Sequence, residues 1–330
     1  MSKKNLSTIL QLIIFLGLGI GLIIWRFDVM SAEDKAGMYE AFKHVRFWWS
    51  VPVLIVGFFS HFFRALRWKL LLRPLDIFPR TANVTFAVLI GYLANTLIPR
   101  LGEVAKCTVL AKYEKVPADK MVGTVIAERA FDLVCLTIIL LATLALQYDI
   151  IFPFAKNLYE KVFLDEEGSF IWSRVIIGLS IIILGFIFLI KFTKTKKESK
   201  IGKIIANIME GLKAIGKIKQ KGLFFLYTLL IWGSYTLMVV IGFWAMPELE
   251  NIPIIASLAV ITFGSVGMIA TPGGIGAYPI IVAQVLLLYG ISEGVGTAYG
   301  WVCWAATTLV VLILGVFSLI LLPVYNRNKK

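Results

Sequence analysis

A chain of 330 residues, 59% hydrophobic and 16% charged, with mean hydropathy +0.85, carries more apolar surface than one soluble core can hide. It reads as an all-α polytopic membrane protein. A transmembrane barrel is excluded because the apolar stretches are continuous instead of alternating over about ten residues. The formal charge of +13 clusters beside those stretches, which points to anchoring on anionic inner-leaflet lipids and not to nucleic acid.

In chain order, the first run (7–25) follows Lys3 and Lys4 as a secretory signal would. It is long and ends in "IIWRF" with no small-residue cleavage site, so a retained span is expected. Residues 26–46 balance acids with bases and suit an outside loop; a second span is expected at 47–63. The stretch "RALRWKLLLRPLDIFPR" (64–80) is strongly basic. It is expected inside, as an interfacial helix whose Arg64, Arg67, Lys69 and Arg73 reach headgroups.

Between Arg80 on the inside and the acidic stretch after Leu146 on the outside there must be an odd number of crossings. Residues 121–146 supply one. The segment 82–118 must then enter and leave on one side. Its first arm is only about 25 Å long as a helix, and its second arm, "EVAKCTVLAKYEKV", is polar. A re-entrant hairpin turning at "PRLG" fits both facts.

The second half repeats the order: a span at 172–191, a Lys-rich amphipathic linker helix at 193–221, a span at 222–245, and a segment at 254–292 broken at "TPGGIGAYP". A last span follows at 297–322. About six transmembrane helices and two re-entrant hairpins result, with both termini inside. Residues 1–148 and 171–325 form two inverted repeats within a single membrane domain, 1–330. Inverted repeats with paired broken helices are the sequence pointer to a transporter.

At the first break Pro99 lacks a backbone donor and Gly102 allows a tight turn, so unpaired backbone would lie at depth. Arg100, Glu103 and Lys106 accompany it. "AERAFD" adds Glu128, Arg129 and Asp132; Glu128 and Asp132 share a helix face, and Arg129 can reach Asp132. Ionisable groups inside a membrane are functional candidates when they find partners. These six are the expected substrate-binding residues, against the alternative of a structural ion-pair cluster. The second break offers Pro272, Gly273, Gly274 and Gly276 as turn residues. It lacks the Lys-Ser/Thr ending of a nucleotide loop. Cys107, Cys135 and Cys303 are scattered in apolar context, far from His44 and His61, so free thiols are expected and neither a metal nor another cofactor is.

"NTLIPRLGEVAK", "AERAFD" and "TPGGIGAYP", in this order, resemble the flippase-like membrane domain family that includes the transmembrane region of lysylphosphatidylglycerol synthases. The resemblance implies a helical bundle with re-entrant elements that moves lipids or lipid-linked molecules between leaflets. It places Pro99, Arg100, Gly102, Glu103, Glu128, Arg129, Asp132, Pro272, Gly273, Gly274 and Gly276 at motif positions. Two departures stand out. Lys106 occupies a position that is often Arg, and Pro279 stands after the second turn where an acidic residue is frequent. No soluble synthase domain follows Leu322, so aminoacyl transfer is not expected.

The expected function is therefore that of a cell-membrane flippase acting on a phospholipid or lipid-linked substrate, without catalysis. A polar-solute or ion transporter of the same architecture is one alternative. An intramembrane lipid-modifying enzyme is the other.

Overall fold

A computed structural model describes residues 17, 19–98, 101–153, 156, 172 and 215–327, and every regular element among them is helical. The expected span at 172–191, most of the linker helix at 193–221, the start of the first span, Pro99 and Arg100 lie outside the described residues. Helical residues 19–29 (α1) lead to α2, Ala32–His44, and α3, Ser50–Leu72. Two helices, α4 (Thr81–Leu97) and α5 (Leu101–Glu114), form an antiparallel pair before α6, Ala118–Leu146. The second half contains α7 (Lys221–Trp244), α8 (Ala256–Ala270), α9 (Ala277–Leu287) and α10 (Glu293–Asn326).

Four helical stretches are long and apolar enough to cross a membrane: Phe47–Leu75, Ala118–Leu146, Lys221–Trp244 and Glu293–Asn326. Their backbone polar groups are satisfied within the helix, which leaves apolar side chains free to face lipid. In contrast, α2 is polar and surface-lying. The Ser31 hydroxyl caps the Asp34 N–H at 3.0 Å, and Glu33 and Asp34 at its start oppose Lys43 and His44 at its end, matching the helix dipole.

Side-chain contacts sort the helix ends into two groups. At one end Arg46 pairs with Glu250, His44 lies 3.2 Å from Glu248, and Gln147 bonds the Ile255 carbonyl and Tyr289. At the other, Arg73 meets Gln220, and Asn83 bonds both Glu114 and Asn326. The α4–α5 pair starts and finishes at this second end, whereas α8 and α9 start and finish at the first. Both pairs reach towards the middle of α10, where Gly315 touches Leu93 of α4 and the Trp304 indole donates to the Gly273 carbonyl at 2.6 Å. The Pro272–Gly274 turn also touches α4.

One core joins α3, α4, α5, α6 and the start of α7 around Trp68, Leu72, Leu110, Met121 and Phe224. A second joins α2, α7, α8, α9 and α10 around Phe243, Met246, Leu286 and Tyr299.

The second span does not stop at residue 63, because α3 runs on to Leu72. Leu70, Leu71 and Leu72 pack into the first core, and this burial holds "RALRWKLLL" in the same helix. Arg64 and Arg67 are therefore buried in the protein and do not reach headgroups.

Candidate functional site

The site is built on three helices that pack side by side. On α3, His61, Arg64, Arg67 and Trp68 follow helical spacing and all are buried. On α6, Glu128 and Asp132, four apart, face them. On α5, Glu103 and Lys106, three apart, approach from the other side.

Arg64 Nη1 lies 2.9 Å from Glu128 Oε1 and 2.7 Å from Asp132 Oδ2. Arg67 Nη2 lies 2.6 Å from Asp132 Oδ1 and 3.6 Å from Glu128 Oε1. Lys106 Nζ meets Glu128 Oε2 at 2.7 Å and sits 4.6 Å over the Trp68 ring. Both Glu128 oxygens are thus taken, on a side chain with no exposure. Isolated charges at such depth would each cost several kcal/mol, and close pairing with hydrogen bonds is what makes them tolerable.

Neutral groups complete the shell. Tyr235 on α7 accepts from Arg64 Nη2 at 3.0 Å, and Thr228 accepts from Arg67 Nη1 at 3.3 Å. Tyr92 on α4 lies under Arg64, and its ring sits 4.4 Å from the His61 ring at a tilt of 56°. Trp68 itself is fixed by a 2.9 Å bond to Thr124.

Arg129 pairs with Glu103 at 3.2 Å, and this pair is more open, with 42% and 29% side-chain exposure. Arg129 does not meet Asp132, as its spacing had suggested; the two α3 arginines occupy both Asp132 oxygens. The expected group thus comes together as Glu128 with Lys106, Glu103 with Arg129, and Asp132 with Arg64 and Arg67. Arg100 adjoins α5 in sequence and lies outside the described residues.

Sequence reasoning missed Arg64, Arg67, Tyr92, Thr228 and Tyr235. For the arginines a signal existed: they lie three apart in a segment that stays apolar through Leu72, and Glu128 and Asp132 needed cations. For the tyrosines and Thr228 no pattern in the chain singled them out.

The charges do not cancel. Arg64, Arg67, Lys106 and Arg129 stand against Glu103, Glu128 and Asp132, a formal excess of one cation. Arg64 Nε, Arg67 Nε, His61 Nδ1 and the acceptor Glu103 Oε2 are buried without a hydrogen-bond partner. Among the described residues no group of three or more His, Cys, Asp or Glu could hold a metal, and the three cysteines are free.

The turn residues behave differently from one another. Gly102 is not between the two helices but in the first turn of α5, since α4 ends at Leu97 and α5 begins at Leu101. Its requirement for glycine is space, since a Cβ would lie 2.1 Å from the Gly91 carbonyl. Gly273, Gly274 and Gly276 have φ of 64°, 75° and 77°, the left-handed region that glycine tolerates. The second turn packs on α1, with Gly276 against Gly19.

Residues 9–315 match the family model described as the lysylphosphatidylglycerol synthase TM region. Comparisons with curated proteins and with solved structures found no match.

Proposed function

The chain belongs to the lysylphosphatidylglycerol synthase TM region family, and from that premise we propose that it is a flippase moving an anionic lipid or lipid-linked molecule between the leaflets of the cell membrane. The observation that carries this reading is the buried Arg64–Arg67–Glu128–Asp132–Lys106 cluster with its surplus cation. In this reading Arg64, Arg67 and Arg129, with Arg100 and Lys106, attract the headgroup phosphate. Glu103, Glu128 and Asp132 hold those cations when no substrate is present, so binding exchanges one set of acceptor oxygens for another.

The architecture suits alternating access. The α4–α5 and α8–α9 pairs enter from opposite ends and turn near the middle of α10. Helices of 17, 14, 15 and 11 residues span roughly 25, 21, 22 and 16 Å, short of a hydrocarbon core of about 30 Å. We read them as the two re-entrant hairpins, reversing between α4 and α5 and between α8 and α9, of inverted repeats 1–148 and 171–325. On this assignment the end holding Arg73, Arg80 and Arg327 faces the cytoplasm.

The test is transport by the purified protein in liposomes containing fluorescent phosphatidylglycerol, with outer-leaflet label quenched by a membrane-impermeant reductant. Protein should speed loss of inner-leaflet label, and Arg64→Ala with Arg67→Ala should abolish the gain. Equal rates with and without the two arginines would overturn the assignment.

A further inference from the structure

We infer that His61 is a proton-binding site, filled when the anionic substrate binds and emptied when it leaves, so that lipid movement is coupled to a proton gradient. The anion is the one assigned by the flippase reading, on which this site rests; the proton supplies the driving force.

His61 lies at the middle of the Phe47–Leu75 stretch, about 21 Å along the helix from either end, and is 5% exposed. Phe58, Phe59, Phe62 and Phe63 surround it in sequence, a setting in which an apolar side chain would suffice. An imidazole instead brings one donor and one acceptor, or two donors when charged, and burial makes these costly to leave unmet. Its Nδ1 has no partner. Packing alone therefore gives no reason for a histidine here.

The groups that face the ring come from every helix packed on α3. Arg64 follows one turn later on α3 itself, and its charge acts on the imidazole. From α4 comes Tyr92, 4.4 Å from the ring, on a helix without charged residues. Glu128 and Asp132 of α6 bear on His61 through Arg64, whose Nη1 both accept. Tyr235 of α7 accepts from the same guanidinium. Helix α10 touches the preceding turn, Val310 against Gly57, and carries no charge between Glu293 and Arg327. Among the described residues no carboxylate pairs with His61, since both acids of α6 are engaged by Arg64, Arg67 and Lys106.

This arrangement links two binding events. The empty cluster already holds one surplus cation, so a charged imidazole one turn from Arg64 would have nothing to offset it, and the ring stays neutral. A monoanionic headgroup on Arg64 and Arg67 cancels the surplus and favours the imidazolium. Each ligand then strengthens the other by the same factor. The proton comes from water at the open Glu103–Arg129 pair and goes to the ring nitrogen that carries none. The Tyr92 hydroxyl feels Arg129 as well as Arg64, which ties the ring's neighbour to that rim.

The experiment uses the full chain in detergent, with its histidines labelled by heavy nitrogen. Short-chain phosphatidylglycerol is the anionic probe and short-chain diacylglycerol the uncharged one. The chain has two histidines; the other, His44, lies at the exposed rim beside Glu248, and His44→Gln assigns the two signals. Near neutral pH, nitrogen NMR should show His61 pass from the neutral to the doubly protonated form with phosphatidylglycerol and not with diacylglycerol. The Kd for phosphatidylglycerol should weaken roughly tenfold for each pH unit above the imidazole range, and His61→Gln should make it independent of pH. In liposomes, acid on the side of the labelled lipid should speed its departure from that leaflet in the wild type and not in His61→Gln. A His61 that stays neutral with probe bound, or a pH dependence that survives in His61→Gln, would overturn the proton site. Protonation on binding without lipid movement would overturn the flippase reading and leave the proton site standing; lipid movement with a neutral His61 would do the reverse.

Discussion

The two broken helix pairs solve one geometric problem with different chemistry. In α4–α5 the helices close on each other through Gly91 and Gly102, and the Asn95 side chain accepts the Gly102 N–H at 2.7 Å. That tight approach brings Lys106 into reach of Glu128. In α8–α9 the chain reverses through three left-handed glycines, capped by Trp304 and by the Thr271 hydroxyl on the Ile275 carbonyl at 2.9 Å. No charged side chain belongs to that pair, and an apolar cavity borders it instead. One pair thus delivers charge to the interior, while the other shapes apolar space.

The largest effect should come from breaking the charged side. Glu128→Ala leaves Lys106 and Arg64 facing a buried gap, and loss of one partner from a buried ion pair costs about 3–5 kcal/mol. Thermal unfolding of detergent-solubilised protein should show a marked fall in Tm, with Glu128→Gln falling less because hydrogen bonding is partly kept. An unchanged Tm in Glu128→Ala would mean that the cluster is not paired as described.

Gly102→Ala and Gly276→Ala come next and separate the two turns. In the first the new methyl overlaps the Gly91 carbonyl, an overpacking cost of about 1–3 kcal/mol; in the second it lies 2.6 Å from the Gly19 carbonyl and adds left-handed strain of about 1–2 kcal/mol. Both should lower Tm. Only Gly102→Ala should also disturb transport in the liposome assay, since it moves α5 and with it Lys106. Gly123→Ala, with nothing within 4 Å, is the control that should change neither.

The same contrast explains what the chain disclosed beforehand. Continuous apolar runs and two Pro/Gly interruptions made the helical class and the two breaks legible, because both follow from local composition. The acids of the cluster were legible too, since Glu128 and Asp132 sit inside an apolar run with no local cation to satisfy both. Their main partners were not. Arg64 and Arg67 lie in a basic stretch that local charge alone assigns to the membrane surface, and only the burial of Leu70–Leu72 against α4, α5 and α6 draws that stretch inward.

A smaller, sharper test concerns how Arg64 is held. Tyr235→Phe removes the hydroxyl that accepts from Arg64 Nη2 and leaves both carboxylates in place. The expected loss of stability is about 1.5–3 kcal/mol at most, the range for a hydrogen bond to a charged group, and less if water enters. If Tyr235 only completes the shell, transport should fall in proportion to stability. A transport defect at full stability would instead mean that Tyr235 orients the guanidinium for substrate, and Arg64→Lys should then reproduce it, because an ammonium keeps the charge and loses the planar fork. At the exposed rim the contrast vanishes. Arg46→Gln removes a half-exposed pair with Glu250 worth less than about 1 kcal/mol, so both Tm and transport should stay at the wild-type value.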